Sequence, residues 1–187
     1  EFGKAIAEEM EEFHVNLWLA PGMNIHRNPL CGRNFEYYSE DPLVSGKMAA
    51  ATTTGVQKTP GAGVSIKHFA TNNQEEDRTR ENNTVTERAL REIYLKGYEI
   101  AVKEGGARSI MSTYGPVNGI WTAGNYDLLT TILRGEWNYD GFVMTDWWAM
   151  SNREGYEATK TTHAPMVSAG NDVFMVCTDC SDMGQDD

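Results

Sequence analysis

"TERALREIYLKGYEIAVKEGGARSIMSTY", residues 86–114, sets a helical pattern directly before a strand pattern. In its first part Leu90, Ile93, Leu95, Tyr98, Ile100, Ala101 and Val102 form a broad apolar face at helical spacing. Thr86 with nearby Glu87 marks the helix start, and Gly105-Gly106 marks its end. The second part, "RSIMSTY" (108–114), is a short apolar run of strand length. Four more such runs lie along the chain: "VNLWLA" (15–20), "GVSIKHF" (63–69), "GFVMTDW" (141–147) and "NDVFMV" (171–176). They are nearly continuous rather than alternating, which suits a parallel sheet covered on both faces. Helical patterns alternate with them: "GKAIAEEMEEF" (3–13), the Ala-rich "VSGKMAAATTTGVQ" (44–57), and "NYDLLTTILRGEW" (125–137), with Asn125 as a natural cap.

Strands alternating with helices predict βαβ units with right-handed crossovers, hence an α/β fold. Two architectures remain open on the pattern alone: an open doubly wound sheet and a (β/α)8 barrel. The long connections at 20–44 and 69–85 suit functional loops on the carboxyl side of either. About five strands are legible, whereas a barrel needs eight and typically ~250 residues. A barrel would therefore be present only in part. The chain also opens on Glu1-Phe2 in mid-helix pattern, so it is expected to begin inside a larger protein.

With 187 residues, 40% hydrophobic and 23% charged, the chain has the composition of one domain with a buried core. Its formal net charge of -11 argues against nucleic acid and anionic membrane surfaces as partners. No apolar run is long enough to span a bilayer. Three cysteines (Cys31, Cys177 and Cys180) make no disulfide framework. The C-x-x-C at 177–180 lacks a second pair or a nearby His, so it reads as small buried or loop residues near a strand end. The acidic tail "TDCSDMGQDD" (178–187) reads as a solvated end. Charge and cysteine count leave cytoplasm and secretion equally open.

Chemistry-bearing residues cluster at the predicted carboxyl ends. Asn24, His26 and Arg33 follow the first strand, and Lys67-His68 close the second. Tyr114 follows the third, and Asp146 the fourth. In a parallel α/β sheet these ends converge on one mouth. Taken singly, each has a plain structural explanation: a paired strand lysine, a helix-capping aspartate. Four at corresponding positions point to a site. No Gly-rich phosphate loop follows a strand, no Ser stands in a nucleophile elbow, and the histidines lack metal-ligand spacing, so no cofactor and no metal are expected. A carboxylate among donors, walled by Trp147 and Trp148, suits a neutral polyhydroxylated substrate whose apolar ring face stacks on indole. Core packing is the competing explanation for the two tryptophans, more so for Trp148. A nearby cation and a phenol are expected to keep Asp146 ionised, as a nucleophile requires.

Four blocks, "GRNFEYYSEDP" (32–42), "KHFATNNQEEDR" (67–78), "TERALREIYLKGYEIAVKEGGARSIMSTYGPVNG" (86–119) and "LLTTILRGEWNYDGFVMTDW" (128–147), resemble the barrel domain of family 3 glycoside hydrolases of the β-glucosidase type. The likeness runs from about Phe2 to Val176. It implies a (β/α)8 TIM-barrel-type fold, present in part, with residues 1–187 forming part of the N-terminal-type catalytic domain. The remaining strands and an α/β-sandwich domain are expected outside this chain. It further implies retaining hydrolysis of terminal β-linked sugars through a covalent glycosyl-Asp intermediate, with Asp146 as nucleophile. Arg33, Lys67, His68, Tyr114 and Trp147 match the family's substrate-binding residues. The family's upstream sugar-binding Asp has no counterpart here, and no residue of this chain matches the acid/base. The loop from Ala70 to Thr84 contains no His, which disfavours the N-acetylglucosaminidase branch. Gly115 stands where many members carry Asn or Ser, so the subsite near Tyr114 is expected to differ. The expected partners are a β-glucoside or oligosaccharide and the missing segments of the same protein or an associated chain. A catalytically incomplete piece that only binds carbohydrate is the second reading. A doubly wound sheet with another small ligand is the third, disfavoured by the missing Gly-rich turn after the first strand.

Overall fold

The structure, a computed structural model, describes residues 1–175. Val176, Cys177 and Cys180, which carry the end of the last predicted strand and the C-x-x-C, lie outside the described residues. Helix α1 (Phe2–Glu12) leads into strand β1 (Leu17–Trp18), helix α2 (Pro42–Gln57) into β2 (Gly63–Phe69). A third helical rod runs as α3 (Glu87–Ala89), a π-helical turn (Leu90–Tyr94) and α4 (Lys96–Lys103) before β3 (Ser109–Ser112). A hairpin of β4 (Pro116–Val117) and β5 (Ile120–Trp121), a π-helical segment (Asp127–Glu136), β6 (Phe142–Thr145) and α5 (Ala164–Ala169) complete it.

The caps follow the side chains. Asp41 accepts from the Leu43 and Val44 amides at 2.7 and 3.2 Å, and Pro42 occupies the first turn of α2. Thr86 accepts from the Ala89 amide at 3.3 Å, and Gly106, at φ 65°, turns the chain out of α4. Asn125 caps its segment by accepting from the Leu128 amide at 3.1 Å. Two expectations of plain α-helix are corrected by wider turns. The Leu95 amide reaches back five residues to the Leu90 carbonyl, and Trp137 does the same to Ile132. Leu90 and Leu95, five apart, are therefore both buried, while Ile93 between them is turned to the surface.

Strands β1-β2-β3-β6 form a parallel sheet in that order. Ile66, Ile110 and Val143 stand side by side in register. With Val64 they face the helices and join Ala7, Met10, Val56, Ala101, Leu129 and Leu133 in one core. The opposite face is buried too, but it is built from small polar and flexible groups. Ser109 Oγ donates to Ser65 Oγ at 2.8 Å, and Ser65 Oγ meets Met144 Sδ at 3.2 Å. A narrow inner face suits the inside of a barrel, where side chains from neighbouring strands fill the centre. The fifth predicted strand shortens, among the described residues, to one parallel bridge between Val173 and Met144. The β4–β5 hairpin and α5 had no strand or helix signal strong enough to predict them.

The α2–α4 crossing depends on Gly46, where a Cβ would lie 2.9 Å from the Ile100 side chain. Tyr98 of α4 reaches under the sheet, stacks edge-to-face on Phe69 at 5.2 Å, and donates to the His68 carbonyl at 2.8 Å. That bond anchors the carboxyl end of β2 from below. Tyr98→Phe removes the donor but leaves the carbonyl its Asn24 partner, so a loss of about 1 kcal/mol in unfolding free energy is expected by denaturant titration.

Candidate active site

Parallel pairing puts the carboxyl ends of β1, β2, β3 and β6 on one rim. At β2 the register with β3 shifts between Lys67 and Phe69, so His68 has no partner residue on β3. A bulge of this kind re-aims a side chain, and here consecutive residues Lys67 and His68 both serve the rim. The Lys67–His68 and Phe69–Ala70 peptides are cis.

Asp146, one residue past β6, is only 5% exposed. Its Oδ1 accepts from the Trp147 amide at 2.7 Å, and the nearby Tyr114 hydroxyl favours the charged carboxylate. His68 Nε2 stands 3.8 Å from Oδ2. Burial raises the Asp146 pKa above the usual carboxylate range; the Trp147 amide, Tyr114, Arg33 and Arg78 oppose it. The expectation that a cation and a phenol hold this acid ionised thus describes the opposing forces and misses the larger one. Loss of water outweighs them. Tyr114 is pushed up as well, by burial and then by the Asp146 charge. His68 is driven well below the ordinary imidazole range by burial, then by the charges of Arg33, Lys67 and Arg78. It is neutral at physiological pH.

His68 is held from behind. Asn24 Oδ1 accepts from the His68 amide at 2.8 Å, and Asn24 Nδ2 donates to the carbonyls of His68 and Ala70 at 2.9 and 3.2 Å. The Tyr37 hydroxyl lies 3.3 Å from His68 Nδ1 and accepts from Asn72 Nδ2 at 3.0 Å. Arg33 and Lys67 meet through a shared carboxylate: Glu36 Oε1 accepts from Arg33 Nε, and Glu36 Oε2 lies 3.6 Å from Lys67 Nζ. Arg78 lies over the Tyr114 ring at 5.4 Å and pairs with Glu75 Oε2 at 2.8 Å.

Arg33, Lys67, His68, Tyr114, Asp146 and Trp147 are thus brought together on one rim. Trp147 and Trp148 are 38% and 40% exposed, with ring centroids 5.9 Å apart, so neither is core packing. His26 is not part of the cluster; its amide donates to the Ser39 carbonyl beside the loop leading to α2. Glu36, Tyr37, Asn72, Glu75 and Arg78 are the residues that strand-end reasoning missed. Glu36 closes a single 3-10 turn and the others lie in loops, where no periodicity marks a side chain's direction. The one available signal was the three-residue spacing Arg33–Glu36 and Glu75–Arg78, which pairs charges across a helical turn. A Cβ on Gly115 would lie 2.5 Å from the Glu81 carbonyl, so the 78–81 loop occupies the space a larger residue would need.

The rim thus holds a buried carboxylate, ringed by hydrogen-bond donors and flanked by two exposed indoles. The sequence profile of the glycosyl hydrolase family 3 N terminal domain matches residues 1–185. A β-glucosidase of Ruminococcus albus is 57% identical over 171 residues, 91% of this chain and 18% of that protein. An exo-α-(1→6)-L-arabinopyranosidase of Bifidobacterium longum is 50% identical over 81% of this chain and 20% of its own length. The crystal structure of a β-glucosidase from Paenibacillus barengoltzii superposes with a TM-score of 0.90 at 55% identity, covering 93% of this chain and 19% of that one. The chain therefore spans about a fifth of the relatives it matches. The parallel sheet, its polar inner face and these likenesses agree on a TIM-barrel-type α/β fold: the chain belongs to glycosyl hydrolase family 3, within its N-terminal domain.

Proposed function

We propose that the whole protein is a retaining glycoside hydrolase of the β-glucosidase type, with Asp146 as its nucleophile. The observation that carries this reading is the Asp146 carboxylate, 5% exposed yet standing beside His68, Tyr114 and the half-exposed Trp147. Asp146 attacks the anomeric carbon and forms a glycosyl ester while the glycosidic oxygen leaves with a proton. Water then cleaves the ester and configuration is retained. The second carboxyl, ~5–5.5 Å from the nucleophile in retaining enzymes, comes from another part of the whole protein, as do the remaining barrel strands and the sandwich domain. The chain's share of its relatives, about a fifth, supports that assignment.

Arg33, Lys67 and neutral His68 donate to ring hydroxyls, and those bonds strengthen as the ring flattens toward the transition state. Tyr114 orients Asp146 or a substrate hydroxyl, and its hydroxyl favours the charged carboxylate. Trp147 offers its indole to the apolar ring face. The substrate class is a terminal β-linked sugar; β-glucosidases among the relatives support glucose, and the arabinopyranosidase shows that close relatives also take other sugars.

Two measurements check this reading. In the whole protein, Asp146→Ala is expected to lower kcat/KM on an aryl β-glucoside by about a thousandfold or more. Unchanged turnover removes the nucleophile assignment. The second concerns ionisation. A carboxylate whose folded pKa exceeds its unfolded value weakens the fold as pH rises through the folded value. Asp146→Asn, which cannot ionise, is therefore expected to melt higher than the native protein at pH 7. The gap closes as pH falls below the unfolded carboxylate value of about 4, where the acid is protonated in both states. A native protein that melts higher at pH 7 contradicts the burial argument.

A further inference from the structure

We propose that Glu36 sets the charge specificity of this mouth, restricting it to uncharged sugars by occupying the two cations that would otherwise hold a substrate carboxylate. The inference rests on the functional reading above and deepens it.

Three cations reach the rim: Arg33, Lys67 and Arg78. Arginine and lysine at a cleft ordinarily recognise anions, arginine as a two-pronged carboxylate clamp. Here each is already partnered. Glu36 spends one oxygen on Arg33 Nε and the other on Lys67 Nζ, at 3.6 Å for the latter. Glu75 Oε2 takes Arg78 at 2.8 Å, while its Oε1 accepts from Asn72 at 2.9 Å. With Asp146, three carboxylates face three cations, and His68 adds no charge. The side chains of Arg33, Lys67 and Glu36 are 18%, 17% and 22% exposed, so salt screens them less than it does a surface pair. The carboxylate is also held in place. A Cβ on Gly22 would lie 2.9 Å from Glu36 Oε2 and 3.0 Å from the Tyr37 ring, so backbone packs directly against it.

A hydroxyl and a carboxylate fare differently in such a mouth. A guanidinium carries five N–H donors and an ammonium three, so each cation keeps donors for neutral hydroxyls while paired. A uronate reaching those donors would find their charge already balanced by Glu36 and would sit beside both Glu36 and Asp146, where like charges repel. The arrangement keeps the donors and cancels their net attraction for anions.

The test uses the whole protein and two substrates with the same aryl leaving group, a β-glucoside and a β-glucuronide. Glu36→Gln keeps the shape and the acceptor for Arg33 but removes the charge. The ratio of glucuronide to glucoside kcat/KM is expected to rise by about 10-fold or more, with the glucoside losing mainly through KM. The rise should shrink at high salt. Glu36→Asp, which keeps the charge, is expected to stay within about threefold of the native ratio. Glu75→Gln, which frees Arg78, reads the same quantity through a separate pair and serves if Glu36→Gln fails to fold. An unchanged ratio in the folded variants, with glucoside still cleaved, overturns the inference and leaves the functional reading standing. A native protein inactive on both substrates, or an Asp146→Ala variant that remains active, tells instead against the functional reading.

Discussion

The parallel register of β2, β3 and β6 is the constraint on which the site depends. Ile66, Ile110 and Val143 align across three strands, and their neighbours one residue away point to the opposite face. Because the strands run the same way, their carboxyl ends emerge together, and Lys67-His68, Tyr114 and Asp146 need no long-range folding of loops to meet. A one-residue slip of β6 would send Val143 inward and turn Asp146 away from His68. The aliphatic packing of the helix-facing side thus fixes the chemistry of the rim, although no aliphatic residue takes part in it.

Burial is the second theme, and it acts in opposite directions on two partners. Withdrawing Asp146 from water raises its pKa, while withdrawing His68 lowers that of the imidazole. The pair, 3.8 Å apart, is driven toward fewer charges on both sides. A neutral imidazole donates or accepts hydrogen bonds without adding to the field. Tyr114, Arg33 and Arg78 offset the Asp146 cost in part. The network behind them, Asn24 under His68 and Glu36 between Arg33 and Lys67, keeps the donors in fixed directions.

Much of this was legible beforehand, for identifiable reasons. β2 occupies the span that its apolar run marked, Gly63–Phe69, because a buried parallel strand must be apolar along its length. Asp41, Thr86 and Asn125 cap their helical segments because capping is local hydrogen bonding. The misses have equally physical origins. A π turn inserts one residue within a helix whose spacing looks regular, so Ile93 left the face assigned to it. The inner sheet face is lined by Ser65 and Ser109, which a search for apolar runs passes over.

What the sequence alone determined is the order of elements, the α/β class, and the strand ends that carry Lys67, His68, Tyr114 and Asp146, because hydrophobic period and caps depend on near neighbours. Only the tertiary structure decided how the ends face one another. It joined Glu36 to Lys67 across 31 residues of chain and brought His68 to Asp146 across 78. It also decided the sign of the Asp146 shift, since desolvation is a property of the packed surroundings and not of any residue type.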